Sequence, residues 1–431
     1  MMHPNLSFEQ APPLSVPFRH FLTAPWLGVL AGLIIAWTGP DGFESRWTSA
    51  TLAVTHLLTA GFMLQAMAGA LLQFVPVAAG GNVWRPRFIA AITHPALLVG
   101  VLLLAAAFLA APSLFRPAIA FIGLGIATLV AAVGWAILRT PAEGPTIVAM
   151  RIAVPALAVT AVLGALLAEG LGAGRGWPLL EMADVHAAWG LGGWGLVLLA
   201  GVSYYVVPMF QLTPPYPKRV AYAVPALLVA ILTLWSFRLA QVQDGIQFVM
   251  LAGYLVAAGF GGATLNLQRR RRRKVSDPTL LFFRCAMGSL IALFGTSVVF
   301  LAVPTLGGEP RAPMWLGILA LVGVFVSAIS GMLYKIIPFI SWLNLQGAYA
   351  PAPAPNMREI IPEKPMRRQM HAHFVAFAAL MAAVVWPALT RPAGVLFAFS
   401  CGWLGWNVLC GIRNFSRFRD RRPQAGARSS L

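Results

Sequence analysis

Two histidines inside apolar segments are the residues best suited to chemistry in this sequence. His56 lies in an apolar stretch over residues 49–77, and His186 lies in a second one over 183–209. Imidazole coordinates transition metals, and an ionisable residue inside a membrane segment is a functional candidate by default. A histidine can also hold two helices together through a hydrogen bond to a hydroxyl or carbonyl group. The sequence alone therefore leaves two interpretations open for each.

The other histidines and the cysteines give weaker signals. His94 precedes a proline, and we predict a structural role for it. His371 and His373 resemble a metal motif, but residues i and i+2 point to different faces of a helix, which favours a role at the lipid headgroups. The three cysteines form no CxxC pair and predict neither a disulfide framework nor a zinc site.

Composition places these residues in a membrane. Of 431 residues, 59% are hydrophobic and 10% are charged, against about a quarter charged in a soluble domain. A mean hydropathy of +0.76 and apolar runs near 20 residues predict an all-α polytopic bundle in a lipid bilayer. A cytosolic enzyme, a disulfide-rich secreted module and a disordered scaffold are excluded. Twelve spans are predicted at 20–37, 49–77, 89–111, 115–138, 148–170, 183–209, 219–237, 246–266, 278–304, 313–340, 371–389 and 394–412.

Basic residues predict the orientation of the bundle. The net charge is +18, and most of the basic residues fall at one side of the membrane. By the positive-inside rule, residues 1–18 and 413–431 are cytoplasmic tails of an inner-membrane protein. The basic run at 269–274 is interpreted as an anchor at anionic headgroups. It lacks the aromatic interleaving of a nucleic-acid site, so no nucleic-acid partner is expected.

Three spans share a pattern that predicts an internal repeat. The second, sixth and tenth spans each contain G-x7-G-x6-P, with steps of 132 and 130 residues between copies. Such glycines allow another helix or a flat ligand to approach the backbone. We therefore predict one membrane domain over 1–431, built as three four-helix arcs with pseudo-threefold symmetry. The arcs cover 20–138, 148–266 and 278–412, and the frames are Gly61, Gly69 and Pro76; Gly193, Gly201 and Pro208; and Gly323, Gly331 and Pro338.

This arrangement resembles subunit I of the heme-copper oxidase superfamily. The stretch HAAWGLGGWGLVLLAGVSYYVVP from His186 is similar to a region of cbb3-type oxidases, and GMLYKIIPFISW from Gly331 is similar to the end of their tenth helix. The similarity covers the whole chain in topology, but only the three repeat helices at residue level. It implies that His56 is an axial ligand of a heme and His186 a ligand of copper, with Gly61 leaving room beside the macrocycle. Arg391 would correspond to a propionate-binding arginine.

The sequence also departs from that family. The seventh span carries LTLWSF where the family has paired histidines, and Leu316-Gly317-Ile318 stand where it has an HxH motif. A complete copper site and oxygen reductase activity are therefore not expected. Proton pumping is disfavoured as well, because no Asp or Glu lies deep in a span. NnrS-like proteins, which are non-oxidase relatives tied to nitric oxide stress, are a looser comparison.

Three functions remain as hypotheses. The first is a heme b-binding membrane protein with a redox, sensing or nitric-oxide-related role, acting with a respiratory-chain or cytochrome partner. Its heme cannot be of the covalent c type, because the sequence contains no CxxCH. The second is a cofactor-free partner or assembly subunit of a respiratory or copper protein. The third is a transporter of small molecules or metals, disfavoured because the predicted midplane is nearly without charge.

Overall fold

Twelve long helices account for the architecture. The computed structural model describes residues 11–174, 177–240, 245–272, 275, 277–350 and 353–421, and that part of the chain contains helices and no strand. The predicted all-α fold with twelve apolar spans is confirmed. Short helices at Pro304–Gly307 and Met357–Ile360 lie in loops. The long helices are α1 Ser15–Gly42, α2 Ser49–Ala78, α3 Pro86–Leu109, α4 Pro112–Arg139, α5 Pro145–Gly172, α6 Leu179–Gln211, α7 Lys218–Ala240, α8 Ile246–Arg269, α9 Pro278–Ala302, α10 Ala312–Tyr349, α11 Glu363–Val385 and α12 Pro387–Asp420.

The start of α11 differs more from its predicted position than the start of any other long helix. This helix begins at Glu363, eight residues before the predicted start at 371. Its first turn is polar and carries an ion pair between Glu363 and Arg367, four residues apart on one face. Hydropathy marks only the apolar part of a helix, so this polar turn was missed. His371 and His373 therefore lie more than two turns inside α11.

Each of α2, α6 and α10 contains a π-helical segment. The segments are Leu57–Met63, Trp189–Leu196 and Leu319–Val326, and their starts are separated by 132 and 130 residues, the same steps as the glycine frames. A π turn is rare and frequently lies at a functional site. The segments also contact one another, because a Cβ built on Gly195 would lie 2.5 Å from Met63 Cε and 2.8 Å from Phe325 Cζ.

The frame glycines pack against the preceding helix in all three cases. A Cβ on Gly69 would lie 2.8 Å from the Cβ of His20 in α1, one on Gly201 would meet the Cβ of Ala149 in α5, and one on Gly331 would lie 2.8 Å from Phe282 in α9. The absent side chains thus let neighbouring helices approach closely. Equivalent contacts of this kind are what a repeat requires, and the threefold arrangement itself stays a prediction.

The two ends of the bundle differ in charge. We call the end with Arg85, Lys218 and Arg269 the basic end, and the opposite end the far end. At the far end, Asp184 forms salt bridges with Arg46 and Arg238. Several basic residues of the sequence lie outside the described residues: Arg175, Arg273, Lys274 and those after Arg421.

Reporter fusions test the orientation predicted from this asymmetry. A reporter fused after Leu431 and one inserted at 269–274 are both expected in the cytoplasm, because Lys and Arg resist translocation. As a control, a reporter inserted between α9 and α10 is expected outside. An alkaline phosphatase and green fluorescent protein pair measures both compartments. Phosphatase activity from either of the first two fusions would contradict the predicted orientation.

Candidate functional site

His56 and His186 lie side by side in the far-end half of the bundle. Their ring centroids are 6.2 Å apart, and the ring planes differ by only 22°. His56 is the last residue of α2 before its π segment, and His186 lies three residues before the π segment of α6. Because a π turn adds a residue to the helical turn, it changes the face on which the flanking side chains lie.

Main-chain carbonyl groups hold both imidazoles in one tautomer. The Nδ1 of His56 donates to the carbonyl oxygen of Leu52 at 2.7 Å, and the Nδ1 of His186 donates to that of Thr160 at 3.0 Å. A carbonyl oxygen can only accept, so Nδ1 carries the proton and a neutral ring keeps the lone pair of Nε2 free. Metal-ligating histidines are oriented by hydrogen bonds of this kind.

Close packing sets the positions of the two rings. Phe108 of α3 stacks on His56 with centroids 5.1 Å apart. Gly164 of α5 faces His186, and a Cβ there would lie 2.9 Å from Cε1 of the imidazole. A larger residue at 164 would therefore push the His186 ring from its place. Both imidazoles are half-buried.

A carboxylate that is paired with two arginines stabilises the first turns of α6. Asp184 accepts from Arg46 at 2.8 Å and from Arg238 at 3.1 Å. Trp235 also donates to the Asp184 carbonyl oxygen, and Trp189 donates to Ser236. These bonds tie the segment that carries His186 to α7. Since both oxygens of Asp184 are paired with arginines, we assign this carboxylate a positioning role.

The other two predicted site residues, Gly61 of α2 and Arg391 of α12, pack against α1. The space beside Gly61 is filled by Leu27, whose Cδ1 would be 3.1 Å from a Cβ at that position. Arg391 donates to the carbonyl oxygens of Ala36 and Trp37 at 3.1 and 2.8 Å, near the far end of α1. The structure thus brings His56 and His186 together, whereas Gly61 and Arg391 pack against a different helix.

The separation of the rings suits a shared metal. A transition metal lies about 2.0 Å from an imidazole nitrogen, so two rings on opposite sides of one metal have centroids roughly 6.5 Å apart. The observed centroid separation of 6.2 Å is close to this value, so His56 and His186 are the residues that would hold a metal ion or a heme iron. Within the described residues, no group of three or more His, Cys, Asp or Glu side chains could hold a metal. The imidazoles of His56 and His186 are therefore the protein ligands that this part of the chain provides.

A small cavity lies on the other side of α2. It measures about 90 Å³ and is lined by Thr55, Leu58 and Ile318, but not by His56. Ligand pockets usually measure about 300–1,000 Å³, so this cavity does not accommodate a porphyrin. Ile318 stands where the resemblance would place a heme-ligating histidine.

The HAH pair is divided between two environments. His371 is exposed at the basic end, whereas His373 is only 1% exposed and its Nε2 lies 2.8 Å from Ser327 Oγ. The expected headgroup role is wrong for His373, because the early start of α11 carries it into the bundle.

A second pair of histidines was not predicted as a site. His20 and His94 lie edge to face with centroids 5.2 Å apart. His20 Nδ1 lies 2.6 Å from Gln65 Oε1, and Thr23 Oγ1 lies 2.7 Å from His94 Nε2. These bonds link α1, α2 and α3 and agree with the structural role predicted for His94. Sequence reasoning missed His20 because it stood at the edge of the predicted first span, whereas α1 begins five residues earlier.

Comparisons with known proteins add no assignment to this geometry. No protein-family model matches the sequence. No curated protein matches it either.

Proposed function

We propose that this polytopic helical membrane protein binds a redox-active metal centre, first of all heme b, through His56 and His186. The observation that carries the proposal is the pair of imidazoles with their Nε2 atoms free and their centroids 6.2 Å apart. In architecture the chain would be a relative of heme-copper oxidase subunit I without the oxygen-reducing site. A redox role implies exchange of electrons with a respiratory or cytochrome partner.

Two repeated features of the fold support the proposed relationship. The three π segments and the three glycine frames repeat at the same steps along the chain, as an architecture of three arcs requires. The tenth helix has Leu316 and Ile318 at the matching positions, so an oxygen-reducing pair of metals would lack ligands there.

The residues of this chain have separate tasks in the proposed site. His56 and His186 would hold the metal through their Nε2 atoms, which the Nδ1 hydrogen bonds to the carbonyl groups of Leu52 and Thr160 keep unprotonated. Asp184 holds the first turns of α6 in place through its two arginines. When bound, a heme b held by both histidines would supply one-electron transfer.

Replacement of either histidine tests the proposal. In protein purified from heme-replete cells, we expect a heme b pyridine hemochrome spectrum, and His56→Ala and His186→Ala each to lower the heme content at least tenfold. The matched control is His371→Ala, because His371 is exposed at the opposite end of the bundle. Elemental analysis of the same samples measures bound copper, iron and zinc.

The combined variant sharpens the test. If both residues hold one centre, the double variant loses no more than either single variant, since contacts with one shared partner are not additive. A Soret band unchanged in both single variants would refute this site. Wild-type protein with neither heme nor bound metal would also refute it, and would favour the cofactor-free partner subunit.

A further inference from the structure

A larger cavity lies in the basic-end half of the bundle, between α2, α6 and α10 and against residues 11–14 and Phe21 of α1. Its volume is about 480 Å³, within the range of small-molecule sites. The half of the bundle that contains it is opposite to the half with His56 and His186, so a ligand in this cavity is independent of the metal site. Most of its lining is apolar and includes Met67, Phe74, Val202, Met209, Met332 and Phe339.

The π segments close the far side of this cavity. Its first lining residues are Ala66, Leu198 and Ala328 on the three helices. About one turn beyond them, Met63 and Phe325 meet over Gly195, where no side chain intervenes. Because this contact fills the space between the three helices, a molecule in the cavity would extend from it toward the basic end.

One side chain that lines the cavity has a buried polar atom without a partner. Gln73 is only 8% exposed, and its Oε1 makes no hydrogen bond within the described part of the chain. A buried amide oxygen without a hydrogen-bond donor lowers the stability of the protein, and native structures rarely contain one. Tyr205 lies at the corresponding position of α6, since Gln73 and Tyr205 each follow the second glycine of their frame by four residues. Both line the cavity.

Charge limits what the cavity can hold. Its described lining contains no Asp, Glu, Lys, Arg or His, and its polar side chains are Gln73, Tyr205 and Asn344. Lys335, which takes the corresponding position in α10, is instead paired with Asp277. A carboxylate or phosphate would enter without a cation to pair with, and burial of an unpaired charge is unfavourable.

We propose that this cavity binds a neutral aliphatic molecule with a hydroxyl head group, such as a long-chain alcohol or a monoacylglycerol. Its hydroxyl group donates to Gln73 Oε1 beside Tyr205, and its chain packs on the methionines and phenylalanines of the three helices. The apolar lining supplies most of the affinity, and the amide selects a donor.

Photolabelling with a matched pair of probes tests the proposal. The probes are a diazirine-bearing hexadecanol and its methyl ether, which has the same chain but no donor, applied to the full-length protein in lipid nanodiscs. We expect mass spectrometry to find the label on the lining residues of α2, α6 and α10. The ether should bind about fivefold more weakly, the usual effect of one hydrogen bond. Gln73→Leu should abolish that difference.

Two tryptophan variants separate the cavity from the lipid surface. Ala70→Trp places a large ring in the cavity and should block labelling, whereas Leu255→Trp alters a residue 54% exposed on the surface of α8 and should not. Gel filtration and thermal unfolding check that both variants fold. Equal labelling of lipid-facing helices would overturn the cavity assignment, as would unchanged labelling of a folded Ala70→Trp protein.

Equal affinities of the alcohol and the ether for the wild type would overturn the role of Gln73, and that comparison needs no variant. Binding of palmitate as tight as that of the alcohol would overturn the neutral head group.

Discussion

Replacing Gly32 with alanine is expected to lower the free energy of unfolding by about 2–3 kcal/mol, because α1 and α12 cross there with their backbones in contact. A Cβ on Gly32 would lie 2.5 Å from the backbone nitrogen of Ala398 and 2.8 Å from the carbonyl oxygen of Gly394. The contact is reciprocal, since a Cβ on Gly394 would lie 2.5 Å from the nitrogen of Ala36. Backbone atoms cannot rotate away as a side chain can, so the two helices must separate.

A cysteine in the same interface provides the measurement. Cys401 is buried, and its Sγ would lie 2.8 Å from a Cβ on Gly28, one turn from Gly32. We expect Gly32→Ala to lower the melting temperature and to speed the alkylation of Cys401. The control is Gly123→Ala, because nothing lies within 4 Å of a Cβ there and alanine favours a helix more than glycine does. Equal melting temperatures for the two variants would contradict the expected clash.

Replacing Asp277 with alanine is expected to cost about 3 kcal/mol of stability at neutral pH. Its Oδ2 lies 3.0 Å from Lys335 Nζ, and the two side chains are only 16% and 22% exposed. Its Oδ1 caps α9, accepting from the backbone nitrogen of Leu280 at 3.0 Å and from the hydroxyl of Thr279 at 2.6 Å. Alanine removes the cap and leaves the Lys335 charge half-buried without a partner.

The same ion pair predicts a loss of stability in acid. Burial by itself raises the pKa of Asp277, but Lys335, Thr279 and the Leu280 N–H together lower the pKa below its usual value. A carboxyl group with a lowered pKa in the folded state stabilises the protein above its unfolded pKa of about 3.9. That stabilisation is lost as the pH falls through the folded pKa.

Melting curves between pH 3 and pH 7 measure both effects. We expect the gap in melting temperature between wild type and Asp277→Ala to be full at pH 7 and to narrow below about pH 4. Asp420→Ala serves as the control, since Asp420 lies 70% exposed beside an exposed arginine and should change stability little. A gap that is the same at pH 3 and pH 7 would show that the lowered pKa does not contribute.

Hydropathy along the sequence determined the membrane-spanning architecture. Burial in lipid depends on the sum of transfer free energies over about 20 consecutive residues, which is a local property, so all twelve spans were predicted. The exceptions were helix ends that a hydropathy window does not detect; for example, α11 begins eight residues before its predicted start, and α10 continues to Tyr349, nine residues past its predicted end at 340. The glycine frames of α2, α6 and α10 were also evident, because close packing of helices requires small residues. The Gly32 contact had a similar signal, with small residues four apart at Gly32 and Ala36 and at Gly394 and Ala398.

Only the tertiary structure decided which side chains meet. The sequence places His56 near the start of the second span and His186 near the start of the sixth, but their contact depends on how α2 and α6 are rotated about their axes. A π segment adds a residue to a turn and so rotates the following face by about 100°, which an α-helical pattern does not reveal. The tautomer of His186 depends on Thr160, 26 residues away in sequence, and the placement of Gly61 and Arg391 depends on α1. Contacts between distant helices set these directions, because the bilayer distinguishes apolar from polar residues but not one apolar neighbour from another.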